Sequence, residues 1–173
     1  ASFVHGTFPS SRLMIVLAGE ERDQEHFLAV ASELRREFTN HFFRFLVVMH
    51  PSGLPDEIPG KGSNLHYAGH RAKEAIDTLG ISYSDVIVSA FDVDTCIHPH
   101  YFSYLTYLYC THPNPTHTSF QPVALYNNNI WESPALVRVT AWGTTFWILT
   151  ELARPERLFT FSSHSMSFQA LVD

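Results

Sequence analysis

Two aspartates two positions apart, Asp92 and Asp94, are the residues of this sequence best suited to chemistry. They follow the apolar, β-rich run Asp85–Phe91, so both carboxylates are expected at the carboxyl end of a buried strand. Carboxylate oxygens are the ligands that hard divalent cations prefer, and two neighbouring carboxylates are costly to leave without a cation. The pattern favours a divalent-metal site. The structural alternative is that one carboxylate caps the following helix and the other is solvated.

Two enzyme classes use a pair of aspartates after a strand. In nucleotide-sugar glycosyltransferases a metal on the pair bridges the donor diphosphate, whereas in phosphatases of the haloacid-dehalogenase type the first aspartate is the nucleophile. The phosphatase class has its motif near the N-terminus, with Thr or Val two residues after the second aspartate. Here that position is Cys96, and two predicted strand-helix units come first. The phosphatase therefore ranks below the transferase.

A lysine between two glycines, Lys61, offers a positive charge at the start of a predicted helix. It is not part of a phosphate-binding P-loop, because the glycine required five residues before Gly60 is Pro55 and the residue after Lys61 is Gly62 rather than Ser or Thr. What remains is an ammonium group and backbone N–H groups that can meet an anion. The alternative is a solvated loop lysine.

The elements that must position these residues alternate between strand and helix. The predicted strands are Arg12–Ala18, Phe42–Met49, Asp85–Phe91 and Phe120–Leu125. The predicted helices are Glu21–Phe38, Asn64–Leu79, Pro99–Cys110 and Pro134–Leu152, the last with Ser133 as N-cap and Pro134 at N1. The alternation predicts an α/β fold with a mostly parallel central sheet flanked by helices. The last helix is apolar nearly all round and is predicted to be buried or to face lipid.

The composition narrows the class of protein. The chain has 173 residues with 45% hydrophobic residues and a formal net charge of −6, which predicts one folded domain and disfavours binding to nucleic acid. The apolar stretch Val139–Thr150 is shorter than the roughly twenty residues that span a bilayer. Cys96 and Cys110 are expected as free thiols. The start at Ala1 without an initiator Met predicts a fragment, incomplete at both ends, of a longer protein.

The order of these motifs resembles a known enzyme family. The segment Gly60–Ala68, then a helix and a strand, then Phe91–Asp94 and His98–Phe102 are similar to family 2 glycosyltransferases of the GT-A fold, in the cellulose-synthase-like, processive branch. Three later segments are similar to further motifs of that family: Phe120–Pro122, Asn127–Asn129 and Ser162–Ser167. The resemblance covers the chain from about Arg12 to its C-terminus.

The resemblance implies a set of site residues and a cofactor. Asp92 and Asp94 would bind Mg²⁺ or Mn²⁺. The donor-binding residues would be Lys61, Asn64, Asp92, Asp94 and Glu20. The acceptor-side residues would be Gln121, Ser163 and His164. Trp131 joins them on the chemistry of its ring, since it follows the asparagine cluster in a predicted loop and is the tryptophan best placed to stack on a sugar.

The resemblance also implies a reaction, with inversion of configuration at the sugar that is transferred. The donor would be a nucleotide-sugar, most simply a UDP-sugar, and the acceptor a carbohydrate or a lipid-linked sugar. The family's catalytic base, an Asp, would lie beyond Asp173, and membrane attachment at the cytoplasmic face would come from flanking segments. The family's Pro-x-x-Glu turn and Q-x-x-R-W segment have no counterpart here. An inactive nucleotide-sugar-binding or scaffolding fragment is therefore the leading alternative, followed by the phosphatase.

Overall fold

The structure is a computed structural model that describes residues 2–55, 57–58, 60–126, 130–154, 156 and 163–173. The chain divides into two compact units. The first covers the chain up to Ser82 together with His98–Tyr104, and the second covers Tyr83–Ile97 and the chain from Leu105 onward. The expectation of a single domain stays a prediction.

The first unit contains a β-α-β-α succession. Its elements are β1 (Met14–Glu20), α1 (Gln24–Phe38), β2 (Arg44–His50) and α2 (Lys61–Leu79). The strands β1 and β2 pair in parallel, with Met14 opposite Arg44 and Glu20 opposite His50. This arrangement confirms the first two predicted strands and both predicted helices, with shifts of a few residues at their ends.

The helices α1 and α2 cover opposite faces of the two-stranded sheet. Gly19 lies against α1 so closely that a Cβ atom there would be 2.3 Å from the Phe27 ring. Glu20, the next residue of β1, pairs with His50. Because successive residues of a strand point to opposite faces, Glu20 and His50 lie on the face opposite Gly19. The His50 ring meets Tyr67 of α2 edge-on, with ring centroids 5.1 Å apart. Glycine at position 19 is what allows α1 to pack this closely.

The second unit contains a three-stranded antiparallel sheet. The elements in chain order are β3 (Ile87–Ser89), α3 (Tyr101–Thr111, whose first four residues belong to the first unit), β4 (Ser119–Phe120), α4 (Ala135–Leu152), β5 (Ser165–Ser167) and α5 (Gln169–Val172). The order across the sheet is β3-β5-β4, and β5 is antiparallel to both neighbours. The mixed α/β class is confirmed, but the described residues show no mostly parallel central sheet.

Two predicted strands are shorter in the structure. The strand β3 is limited by its partner β5, which has only three residues. The strand β4 cannot extend through Pro122, because proline has no N–H to continue the pairing. The prediction Asp85–Phe91 becomes Ile87–Ser89, whose three residues are all half-buried, and Phe120–Leu125 becomes Ser119–Phe120.

The start of α4 also differs from the prediction. The Arg138 N–H donates to the Pro134 carbonyl at 3.1 Å, which makes Pro134 the N-cap in place of Ser133. The helix buries Thr145 and Ile148, while Leu136, Val139 and Phe146 are exposed. It is therefore not buried all round. Among the described residues, no helix has both the length and the hydropathy needed to cross a membrane.

Candidate functional site

Asp92 and Asp94 lie in a tight turn just beyond β3. The Thr95 N–H donates to the Asp92 carbonyl at 3.0 Å, so the two aspartates occupy the first and third positions of a β-turn. Asp92 is half-buried and Asp94 is exposed. Since α3 begins only at Tyr101, neither aspartate holds its N-cap position. The pair begins three residues after β3, and that strand is half-buried rather than buried as predicted.

The antiparallel sheet places other predicted residues at the same edge as this turn. Because β5 runs opposite to both β3 and β4, the carboxyl ends of the outer strands and the amino end of β5 share one edge. Ser89, Ser165 and Phe120 are aligned across the sheet. At this edge, Asp92 and Asp94 follow Ser89, Gln121 follows Phe120, and Ser163 and His164 precede Ser165. We call this set the acidic sheet edge.

The backbone ties the acidic sheet edge together. The Ala90 N–H donates to the His164 carbonyl at 3.1 Å, one step beyond the last strand pair. The preceding residue, Ser163, has a φ of 69°, which is rare for a residue with a side chain. Strained backbone of this kind persists only where surrounding contacts enforce it, and it is frequent at functional sites. The Ala90–His164 bond therefore places the His164 backbone beside the chain that leads from β3 into the aspartate turn.

A buried polar network supports this edge from beneath. Ser165 and Ser167 of β5 are fully buried. The Ser89 and Ser165 hydroxyls lie 2.6 Å apart, and the Tyr109 hydroxyl of α3 donates to the Ser84 carbonyl at 2.7 Å and contacts the Ser167 hydroxyl at 2.9 Å. These residues fix the position of β5 and hence of the segment that leads into it. The burial of these serines was not predicted, since alternating serines do not indicate a buried strand.

The donor set fits a hard cation whose coordination shell is completed by a ligand. Mg²⁺ commonly takes one or two carboxylates and obtains its remaining oxygens from phosphate and water. Asp92 and Asp94 can supply the carboxylates. Among the described residues, no group of three or more His, Cys, Asp or Glu side chains is placed to hold a metal ion without such a ligand.

The remaining donor-side residues belong to the first unit. Lys61 is the first residue of α2 and is exposed, and the helix begins three residues before the predicted Asn64. The earlier start arises because the Asn64 N–H and the Ser63 hydroxyl both bond to the Gly60 carbonyl, at 3.1 and 2.8 Å. The Asn64 Oδ1 atom is buried with no hydrogen-bond partner among the described residues.

Acidic groups gather where β1 and β2 end. Glu20 pairs with Arg22, with the Arg22 Nε 2.6 Å from a Glu20 carboxylate oxygen. Glu21 accepts hydrogen bonds from the Ser52 N–H and hydroxyl, both at 2.7 Å, and these bonds lower the pKa of the Glu21 carboxyl. Glu20 is therefore engaged with an arginine, and its predicted contact with a donor base stays a prediction.

One further contact at this end of the sheet was not predicted. Buried His50 bonds through Nε2 to both oxygens of Glu57, at 3.2 and 3.1 Å. The His50-Pro51 sequence marked only the end of a strand, so nothing in the pattern pointed to this pair. A groove of about 480 Å³ runs between β2 and α2 and is lined by Arg44, Met49, Tyr67 and Arg71 among others.

Trp131 is mostly exposed. It lies in a short turn, Ile130–Glu132, with 82% of its surface accessible. The Arg138 guanidinium lies over its ring at 6.0 Å, which leaves the other face of the ring open to a stacking partner. The predicted asparagine segment Asn127–Asn129 and Ser162 lie outside the described residues.

Comparison with protein-family models, curated proteins and solved structures found no match to the chain.

Proposed function

We propose that this chain binds a nucleotide-sugar through a divalent cation held by Asp92 and Asp94, as the donor-binding part of a glycosyltransferase similar to family 2. One observation carries the proposal: the aspartate turn shares the acidic sheet edge with Gln121, Ser163 and His164, which the resemblance assigns to the acceptor side. Transfer of a sugar from a diphosphate donor requires a metal site and a hydroxyl-binding segment on the same edge.

The chemistry of the bound cation, Mg²⁺ or Mn²⁺, is to neutralise charge on the diphosphate as the sugar leaves. Asp92 and Asp94 would hold that cation, which would supply the positive charge that the donor diphosphate binds. The resemblance assigns three further residues to the donor: Lys61 to its phosphates, Glu20 to its base, and Asn64.

On the acceptor side, Gln121 and His164 bind sugar hydroxyls and Trp131 stacks against a sugar ring. An acceptor hydroxyl attacks the anomeric carbon from the face opposite the leaving diphosphate, so the configuration inverts. No residue of this chain is assigned as the base that takes the hydroxyl proton. Binding of the donor is therefore the activity that we assign to the chain.

The proposal includes the GT-A-like fold and its setting. The parallel pairing of β1 and β2 supports this fold within the first unit, and the resemblance supplies the rest of the mostly parallel arrangement. The setting is a polysaccharide or glycoconjugate synthase attached to a membrane through flanking segments, at its cytoplasmic face, with a carbohydrate or lipid-linked acceptor. The resemblance supplies this setting.

Calorimetric titration with UDP and UDP-sugars, with and without Mn²⁺, tests donor binding. We expect saturable binding that requires Mn²⁺ and is lost in Asp92→Asn and Asp94→Asn, which keep the size of the side chain and remove its charge. Asp85→Asn is the matched control, because Asp85 is exposed just before the opposite end of β3.

The other outcomes separate the alternatives. Metal-dependent binding without sugar transfer fits both the donor-binding part and the scaffolding fragment, because no base is assigned to this chain, whereas transfer would exclude the scaffolding fragment. Release of phosphate from a simple phosphomonoester, abolished by Asp92→Asn, favours the phosphatase. Nucleotide binding that survives both aspartate substitutions contradicts the proposal.

A further inference from the structure

Two histidines on α2 stand one helical turn apart with their ring nitrogens facing each other. The Nε2 atoms of His66 and His70 are 3.2 Å apart. The ring centroids are 4.6 Å apart and the ring planes are nearly perpendicular, at 89°. Both side chains are exposed. Positions four apart on a helix are neighbours on its surface, so the helix itself maintains this geometry.

The separation of these nitrogens suits a transition metal. An ion bound to imidazole at about 2.05 Å from each nitrogen, the usual zinc distance, would subtend an angle of about 103° when the nitrogens are 3.2 Å apart. That angle is close to the tetrahedral value of about 109° that zinc prefers. Rotation of the rings about their side-chain bonds directs both lone pairs at one point.

We infer that His66 and His70 form a two-histidine site for a borderline divalent cation of the zinc class, separate from the hard-cation site proposed at Asp92 and Asp94. In the present contact the Nε2–H group of one ring donates a hydrogen bond to the Nε2 atom of the other. On binding, the donating ring takes the tautomer with its proton on Nδ1, so that each Nε2 gives a lone pair to the metal. Neutral rings lose no proton in this step.

The surroundings leave room for such an ion. The buried side of α2 carries Ala68, Ala72 and Ile76, and the histidines lie on the exposed side. Glu74, one turn beyond His70, bonds to Arg71 through both carboxylate oxygens, at 2.8 and 3.0 Å. With this carboxylate engaged, water supplies the remaining ligands. Imidazole nitrogen favours zinc, nickel and copper over magnesium and calcium.

The inference is tested on the whole chain with Zn²⁺ alone, in the absence of nucleotide. Calorimetry measures binding, and two-dimensional NMR of the histidine ring carbons identifies the rings that respond. We expect the His66 and His70 ring signals to shift together as Zn²⁺ saturates one site, and Mg²⁺ at the same concentration to leave them unchanged. His66→Ala and His70→Ala should each abolish this site.

Two further variants complete the test. His70→Cys should retain zinc binding, because a thiolate replaces the imidazole ligand. His26→Ala, which removes an exposed histidine of α1, should bind zinc as the unchanged chain does. Both substituted positions on α2 are exposed, and circular dichroism confirms that the variants are folded. Zinc binding that persists in the His66→Ala and His70→Ala double variant, or ring shifts at other histidines only, would overturn the inference.

Discussion

The hydroxyl of Tyr109 offers a quantitative test of how the acidic sheet edge is held. The substitution Tyr109→Phe keeps the buried ring, which packs against Phe120 with centroids 6.2 Å apart, and removes only the oxygen. Two contacts are lost, the bond to the Ser84 carbonyl at 2.7 Å and the contact with the Ser167 hydroxyl at 2.9 Å. The Ser167 oxygen still accepts a bond from the Gln169 N–H at 3.2 Å.

The expected loss of stability follows from these contacts. A buried hydrogen bond contributes about 1 kcal/mol net, so losing both contacts should lower the free energy of unfolding by about 2 kcal/mol. For a chain of this size, each kcal/mol lowers the unfolding temperature by about 2–4 °C, which gives a decrease of about 4–8 °C. Urea denaturation followed by tryptophan fluorescence and a thermal scan followed by circular dichroism measure both quantities.

The matched control is Tyr107→Phe on the same helix, where the side chain is 62% exposed. Surface substitutions usually change stability by less than about 0.5 kcal/mol. If Tyr109→Phe unfolds within that margin of Tyr107→Phe, the buried network does not hold β5 as described. The Ala90 and His164 amide signals in NMR should also shift in Tyr109→Phe and not in the control.

Two other features of the first unit give further predictions. Gly19→Ala should lower the free energy of unfolding by about 1–3 kcal/mol, measured in urea, because its Cβ would overlap the Phe27 ring. The control Gly69→Ala, in open space within α2, should raise that free energy by about 0.5–1 kcal/mol. Equal effects of the two substitutions would contradict the packing of α1 against Gly19. Because Ser52 lowers the pKa of the Glu21 carboxyl, this contact stabilises the fold above the ordinary Glu pKa and is lost as the pH falls through the lowered value. In Ser52→Ala, NMR titration should find the Glu21 pKa raised toward its ordinary value, and an unchanged pKa would refute the contact.

The β-α-β-α part of the first unit was predictable because its helices pack against strands that neighbour them in the chain. The helices α1 and α2 carry apolar residues at helical spacing, and Gly80, with a φ of 66°, ends α2 as expected of a C-terminal glycine. Each strand of this unit is followed by a helix that covers it. Pattern and packing therefore agree, and only the ends of elements shifted.

The second sheet could not be predicted in the same way. Its central strand β5 reads Ser-Met-Ser, which has no β-branched or aromatic residue, and its polar serines are the buried positions, the reverse of a typical strand. It pairs Ser167 with Ile87, far away in the chain, so no local pattern reports the contact. The aspartate turn was predicted from its own residues, but the edge it shares with Gln121 and His164 depends on this long-range pairing.

The location of bound Mn²⁺ tests the central claim most directly. Mn²⁺ broadens NMR signals of nearby nuclei, so a titration of the isotope-labelled chain with Mn²⁺ in the presence of UDP identifies the residues around the ion. We expect broadening centred on the amides of Asp92–Thr95, stronger with UDP than without it, and absent in the Asp92→Asn and Asp94→Asn double variant. If other signals broaden while these amides stay sharp, a cation site at the aspartate turn is contradicted. Broadening of these amides that persists in the double variant would contradict it as well.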